Sequence, residues 1–210
     1  MITNGFRVFG KKGLRRLVDA EAAFTGYARC ELDAEVDREA FLSAFTFGDE
    51  FQEQLERTGS TRDYHGPCGA NHIWWDVDRD DLDDALADAK NLAAKIKELY
   101  GEPLAFFSGK KGFHFGLETC RWNPSSSLDF NRVARQFAVA AAEQAGVEID
   151  TSVYDKVRPF RAPNSRHSST GLYKVRLEWQ DLMASSMAEI VAFAAAPFPF
   201  DASVGCEFSQ

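Results

Sequence analysis

Cysteine is scarce in this 210-residue chain, and its four copies, Cys30, Cys68, Cys120 and Cys206, never form a Cys-x-x-Cys pair. That spacing argues against a disulfide scaffold and against a zinc ribbon. His65 and Cys68 supply half a zinc site with no second half nearby, so no zinc is expected, and reduced, scattered thiols fit a cytoplasmic location. Long apolar runs are missing as well. Nothing approaches the ~20 residues of a membrane-spanning helix, and the opening MITNGFRVFGKKGLRR lacks the apolar stretch of a signal peptide, so no membrane association is expected. Net positive charge is also absent: 24 Lys and Arg against 32 Asp and Glu leave −8. A protein that grips a duplex through phosphate contacts alone is normally basic. Any affinity for a polynucleotide should therefore be weak and salt-sensitive. Internal repeats and low-complexity segments are lacking too, and a hydrophobic content of 45% suits a globular domain.

What charge there is lies unevenly. Residues 76–84 read DVDRDDLDD, while Lys156, Arg158, Arg161, Arg166, Lys174 and Arg176 crowd residues 156–176. An acidic cluster facing a basic one is what metal ions plus a polyphosphate require. The elements that carry these charges follow from periodicity. Residues 1–60 read as a mixed α/β lobe, with a short strand near Arg29–Leu32 and a helix from Asp37 to Arg57 that buries Phe41, Leu42 and Phe45. Ile73–Asp78 is a strand, and Leu82, Leu86, Ala89, Leu92, Ala93, Ile96 and Leu99 stripe a helix over Asp81–Tyr100 that Gly101 and Pro103 end. Leu104–Phe107 and Phe113–Glu118 form a hairpin. A second helix runs from Asp129 to Ala145, Val147–Tyr154 makes a further strand, and a strand at Leu172–Leu177 and a helix near Ser186–Ala195 follow. The order β-α-β-β-α-β over residues 61–210 predicts an α+β fold, an RRM-like split βαβ core carrying the N-terminal lobe.

Three segments decorate that core with chemistry. Side chains alternate along a strand, so Asp76 and Asp78 share one face while Ile73, Trp75 and Val77 take the other. Two adjacent carboxylates repel, and hard divalent cations with oxygen ligands, Mg²⁺ or Mn²⁺, resolve the conflict. The turn Ser108-Gly109-Lys110-Lys111-Gly112 offers backbone-permissive glycines and two cations for an anion. It lacks the GxxxxGK[ST] order of a Walker A loop and leads into a strand, with His114 facing away from Phe113 and Phe115. In VEIDTSVYDKVRPFRAPNSRH, Asp150 is placed to complete a three-carboxylate site, with Glu148 and Asp155 as the nearest substitutes.

Taken together, IWWDVD, FFSGKKGFHF, EID and FRAPNSRHSSTGLYKV resemble the motif series of the archaeo-eukaryotic primase superfamily over residues 62–178. That family's pattern is a strand ending DxD, a hairpin SGxxGxH, a third acid, and an Arg/Lys-x-Pro-x-Ser-x-His stretch with a trailing Thr-Gly. The resemblance implies a DNA primase-polymerase. Such a nucleotidyltransferase transfers a nucleotide from a nucleoside or deoxynucleoside triphosphate to a 3′-hydroxyl under template direction, releasing pyrophosphate, by a two-metal mechanism. It implies that Asp76, Asp78 and Asp150 are catalytic and bind two Mg²⁺ or Mn²⁺ ions. Ser108, Lys110, Lys111, His114, Arg161 and His167 would hold the triphosphate, although the family usually has arginine at one or both lysine positions. Arg158, Arg166 and Lys174 would meet template or phosphate. The implied partners are nucleoside triphosphates, a single-stranded DNA template with its primer, and a helicase or other replication protein. The family's zinc module and helicase extensions are not recognisable. Rival readings are a gap-filling or translesion polymerase that does not initiate, and a replication-initiation module that binds single-stranded DNA.

Overall fold

The computed structural model describes residues 4–9, 16–19, 39–120 and 122–198. Its named strands make two four-stranded antiparallel sheets. One takes β1 (Asn4–Phe9), β2 (Arg16–Asp19), β3 (Ala40–Ser43) and β7 (Pro159–Arg161) in the order β2-β1-β3-β7. The other takes β4 (His72–Asp78), β5 (Leu104–Phe107), β6 (Gly112–Glu118) and β8 (Val175–Leu177) in the order β4-β6-β5-β8. Helix α1 (Asp49–Thr58) follows β3, and α2 (Leu82–Tyr100) carries the chain from β4 to β5, with β6 lying between those two strands. Helix α3 (Phe130–Ala145) precedes a 3₁₀ turn at Thr151–Tyr154, and α4 (Trp179–Ala184) and α5 (Met187–Phe193) finish the described chain.

The second sheet is divided by its pleat. Trp75, Val77, Phe113, Phe115, Ala105, Phe107, Val175 and Leu177 are all buried, and register puts Trp75 beside Phe115 and Ala105, and Val77 beside Phe113 and Phe107. These residues form the floor on which α2 and α3 lie. Helix α2 presents Ala85, Leu86, Ala89, Leu92, Ala93 and Ile96 at the spacing of one face. The Asp81 carboxylate caps it by accepting from the N–H groups of Asp83 and Asp84. Helix α3 buries Ala134, Ala138, Ala141 and Ala142, small enough for close approach, and the Trp75 indole donates to the Ala138 carbonyl at 2.9 Å. On the opposite face Asp76, His114, Phe106 and Arg176 stand in one row across the four strands. Phe160 of β7 packs on this face, its ring 5.2 Å from Trp74 and 4.3 Å from His114.

Several expectations change. The helix expected from Asp37 is strand β3 followed by a separate α1, because Phe41 and Leu42 pair with both β1 and β7 and Gly48 starts the helix anew; Asp37 and the strand near Arg29–Leu32 lie outside the described residues. Val147–Tyr154 is not a strand. Its first half is irregular and its second half is the 3₁₀ turn, capped by the Asp150 side chain. The strand expected at Leu172–Leu177 is limited to β8, since Tyr173 leaves the ladder to donate to the Ala194 carbonyl. Helix α4 is an element the sequence pattern does not predict, while α5 begins after Ser186, which with Glu189 forms a capping box.

Candidate functional site

Asp76 and Asp78 end β4 beside the β5–β6 hairpin. Ser108 ties the turn together: its hydroxyl accepts from the N–H of Gly112 at 3.2 Å and of Lys110 at 3.4 Å, and its own N–H donates to the Gly112 carbonyl. Gly109 turns with φ +82°, a conformation that favours glycine. The turn thereby brings Lys111 alongside β4, with Nζ 4.0 Å from Asp78 Oδ2 and 3.8 Å from Asp80 Oδ1. Lys110 stays exposed.

The electrostatics of the two acids are unusual. Asp76 Oδ1 is buried and accepts no hydrogen bond; His114 Nε2 lies 3.4 Å away. Burial, reinforced by the neighbouring charges of Asp78 and Asp150, pushes the Asp76 carboxyl up to about 8, with Lys174 and Arg158 opposing. Asp78 is also raised, by burial first, while Lys111 counters. His114 is held well below the usual imidazole range, by burial and then by the charges of Lys174 and Arg161, so it stays neutral.

A cavity of about 230 Å³ opens above these groups. Its walls bring together nine of the residues singled out in the sequence: Asp76, Asp78, Ser108, Lys110, Lys111, His114, Arg158, Arg161 and His167. Asp150 does not line it. Its backbone N–H donates to the Asp76 carbonyl at 2.8 Å, which places it next to β4, but both carboxylate oxygens are engaged by Ser152, one by its N–H and one by its hydroxyl, each at 2.8 Å. Among the described residues no three His, Cys, Asp or Glu side chains form a ready-made ligand cluster. Glu148 and Asp155 are no closer substitutes, for neither lines the cavity.

Two further residues stand apart from it. Arg166 is exposed and its Nε donates to the Gly171 carbonyl. Lys174, expected at template or phosphate, has no exposed surface; it approaches His114 Nδ1 and donates to the Arg161 carbonyl.

Several contributors were not legible beforehand. Ser152, Val153, Pro159 and Phe160 complete the cavity wall. Glu39, in the residue run before β3, meets Arg161 at 3.0 Å and accepts from the Ser168 N–H. Burial pushes its carboxyl up, but the hydrogen bonds from Arg161 and Ser168 outweigh that and hold it below its ordinary range.

Tyr154 braces the site from behind, its buried hydroxyl donating to the Trp74 carbonyl on β4. Tyr154→Phe removes that bond and should cost about 0.5–1.5 kcal/mol. The expected reading is a lower urea midpoint with an unchanged slope.

No family model matches the chain, and no curated protein matches it. Among solved structures, it is similar to the polymerase domain from Mycobacterium tuberculosis ligase D in complex with DNA, with 17% identity and a TM-score of 0.50. The match covers 90% of this chain and 70% of that one. At that identity the likeness is one of fold. It fits a mixed α/β chain with antiparallel sheets, in which no helix among the described residues is long and apolar enough to cross a membrane.

Proposed function

We propose that this chain is a DNA-directed nucleotidyltransferase of the primase-polymerase kind, transferring a nucleotide from a nucleoside or deoxynucleoside triphosphate to a 3′-hydroxyl. The observation that carries the reading is the buried Asp76 oxygen without a hydrogen bond, facing a cavity whose remaining walls bear Lys110, Lys111, Arg158 and Arg161. A carboxylate so placed is costly alone and fits a divalent cation. Fold likeness to a polymerase domain solved with DNA supports the same reading, as do the motif series and the helix-linked strands β4 and β5 around β6, which we take as the RRM-like core.

On this reading Asp76 and Asp78 hold Mg²⁺ or Mn²⁺, in a two-ion site that Asp150 joins by giving up its bonds to Ser152. The ions would supply charge stabilisation at the attacking and leaving oxygens. The chain's own residues do the rest. Lys110, Lys111, Arg161 and His167 bind the triphosphate and neutralise the departing pyrophosphate. Ser108 holds the turn that presents the lysines. His114, neutral, keeps an N–H directed at Asp76 and the cavity, and Phe160 closes the wall against water. Arg158, exposed at the rim, and Arg166 beyond it are placed for the strand backbone. A chain of net charge −8 holds single-stranded template weakly, so a helicase or other replication protein is the expected companion.

The deciding assay is incorporation with Mn²⁺ or Mg²⁺ on primed and on unprimed single-stranded DNA. Products on both are expected. Products on the primed template alone reduce the protein to an extending polymerase. Single-stranded DNA binding with no incorporation would remove the enzyme reading in favour of a replication-initiation module.

A further inference from the structure

Lys174 sits just before β8 with 0% exposure. An ammonium taken wholly out of water costs several kcal/mol unless its donors are satisfied in good geometry. Here Nζ is 2.8 Å from His114 Nδ1 and donates to the Arg161 carbonyl at 2.9 Å. The rings of Phe160, Phe106 and Trp74 surround it with centroids at 4.5, 4.8 and 5.6 Å, distances at which a cation is attracted to an aromatic face. These polar partners come from different sheets, His114 from β6 and Arg161 from β7, and both line the cavity.

An ammonium group has donors and no acceptor. The imidazole nitrogen that faces it must therefore be the lone-pair nitrogen, which puts the ring proton on the other one. That other nitrogen, Nε2, is the one 3.4 Å from Asp76 Oδ1. A neutral ring 3.4 Å from the Asp76 oxygen adds no second positive charge where a cation would sit.

We propose that Lys174 is a positioning residue of the cavity: it locks His114 in the Nε2–H tautomer and pins the Arg161 main chain across the seam between the sheets, so that both side chains address one polyphosphate. The identity of the occupant rests on the nucleotidyl-transfer reading; the tautomer lock does not. Lys174 thereby replaces the expected template contact with a role exerted through two neighbours.

Nitrogen-15 spectra of the histidine-labelled full chain at neutral pH test this. In the wild type, His114 should show an unprotonated Nδ1 and a protonated Nε2; a protonated, neutral-ring Nδ1 overturns the proposal outright. Lys174→Met, close in shape but without a donor, should release His114 into mixed tautomers. It should raise KM for the nucleoside triphosphate about tenfold, with kcat changed much less, as loss of an outer-shell partner does. Lys174→Gln restores a neutral donor and should recover part of both effects. A lysine that merely fills space would shift the melting temperature while leaving the His114 nitrogens and KM in place, and that result also overturns the proposal. If Lys174→Met fails to fold, the glutamine variant and the wild-type spectrum decide. A wild type that incorporates no nucleotide yet shows the locked tautomer refutes the enzymatic reading alone.

Discussion

Asp76→Asn should abolish nucleotide incorporation, by on the order of 10³-fold or more, while leaving a folded protein. The magnitude follows from position. Removing partners one step away from a metal ligand costs about 10–100-fold, and Asp76 is the most buried of the acids at the cavity, with an oxygen free to coordinate. The amide keeps the shape and loses the charge. Stability should move the other way. The folded Asp76 carboxyl titrates at about 8, above its ordinary value of 3.8. Between those two pH values the folded state therefore keeps a proton that the unfolded chain has released. A group raised in this way contributes stability that is whole below about pH 4 and declines as pH rises through about 8. In metal-free buffer the wild type should lose several kcal/mol across that window, and Asp76→Asn should show a flatter profile and melt higher at pH 9. Added Mn²⁺ should recover the wild type at high pH and leave the variant unmoved. Thermal melts over a pH series, with and without the ion, check every part. Retained incorporation by Asp76→Asn on a primed template would sink the assignment.

Gly112→Ala is expected to be the most damaging methyl group that could be added at any of the described glycines. A Cβ there would lie 1.9 Å from the Val77 carbonyl oxygen and 2.4 Å from Asp78 Oδ1. The first of these is backbone of the paired strand, with Gly112 directly opposite Asp78, so relief requires β4 and β6 to part. Overpacking of this kind costs about 1–3 kcal/mol and occasionally more, and here the upper part of that range applies because the obstacle is main chain. The strand end that must move carries Asp78. Loss of incorporation should therefore exceed what the fraction unfolded accounts for. A urea titration alongside an activity measurement on the folded fraction tells the two apart; an alanine variant with the wild-type midpoint would mean the strands do not close as described.

The sequence disclosed the parts of this arrangement that are local. Alternation in IWWDVD put Asp76 and Asp78 on one face, glycines framed the lysine turn, and the stripe of α2 marked its buried side, all because pleat and helical pitch are short-range properties. The parts it concealed are those decided by distant chain. The segment AFLSAF carries apolar residues that suit a helix or a strand, and only pairing with β1 and β7 chose the strand. Lys174 and Arg176 share a face whichever way they point. That Lys174 is buried follows from β7 laying Phe160 over it, which residue spacing does not encode. Glu39 reaches Arg161 across 122 positions, with no local pattern to announce it. Asp150 was placed on a strand because Val147 and Ile149 alternate with Glu148. The competing signal was Asp-Thr-Ser, which caps its own turn by hydrogen bonds two residues on.

The cavity's two walls belong to separate hydrogen-bonded ladders. Hairpin and acids stand on the β4-β6-β5-β8 sheet, Pro159 to Arg161 on the other, and among the described residues no named strand of one pairs with a strand of the other. The gap is therefore gauged by what is wedged in the joint, chiefly the Phe160 ring against Trp74 and His114. Its width depends on that ring together with the main-chain bonds that tie Asn164 and Ser165, just past β7, to Lys174, just before β8. A designer could retune the aperture by exchanging one aromatic for another at that single position, leaving both ladders and the disposition of the acids untouched.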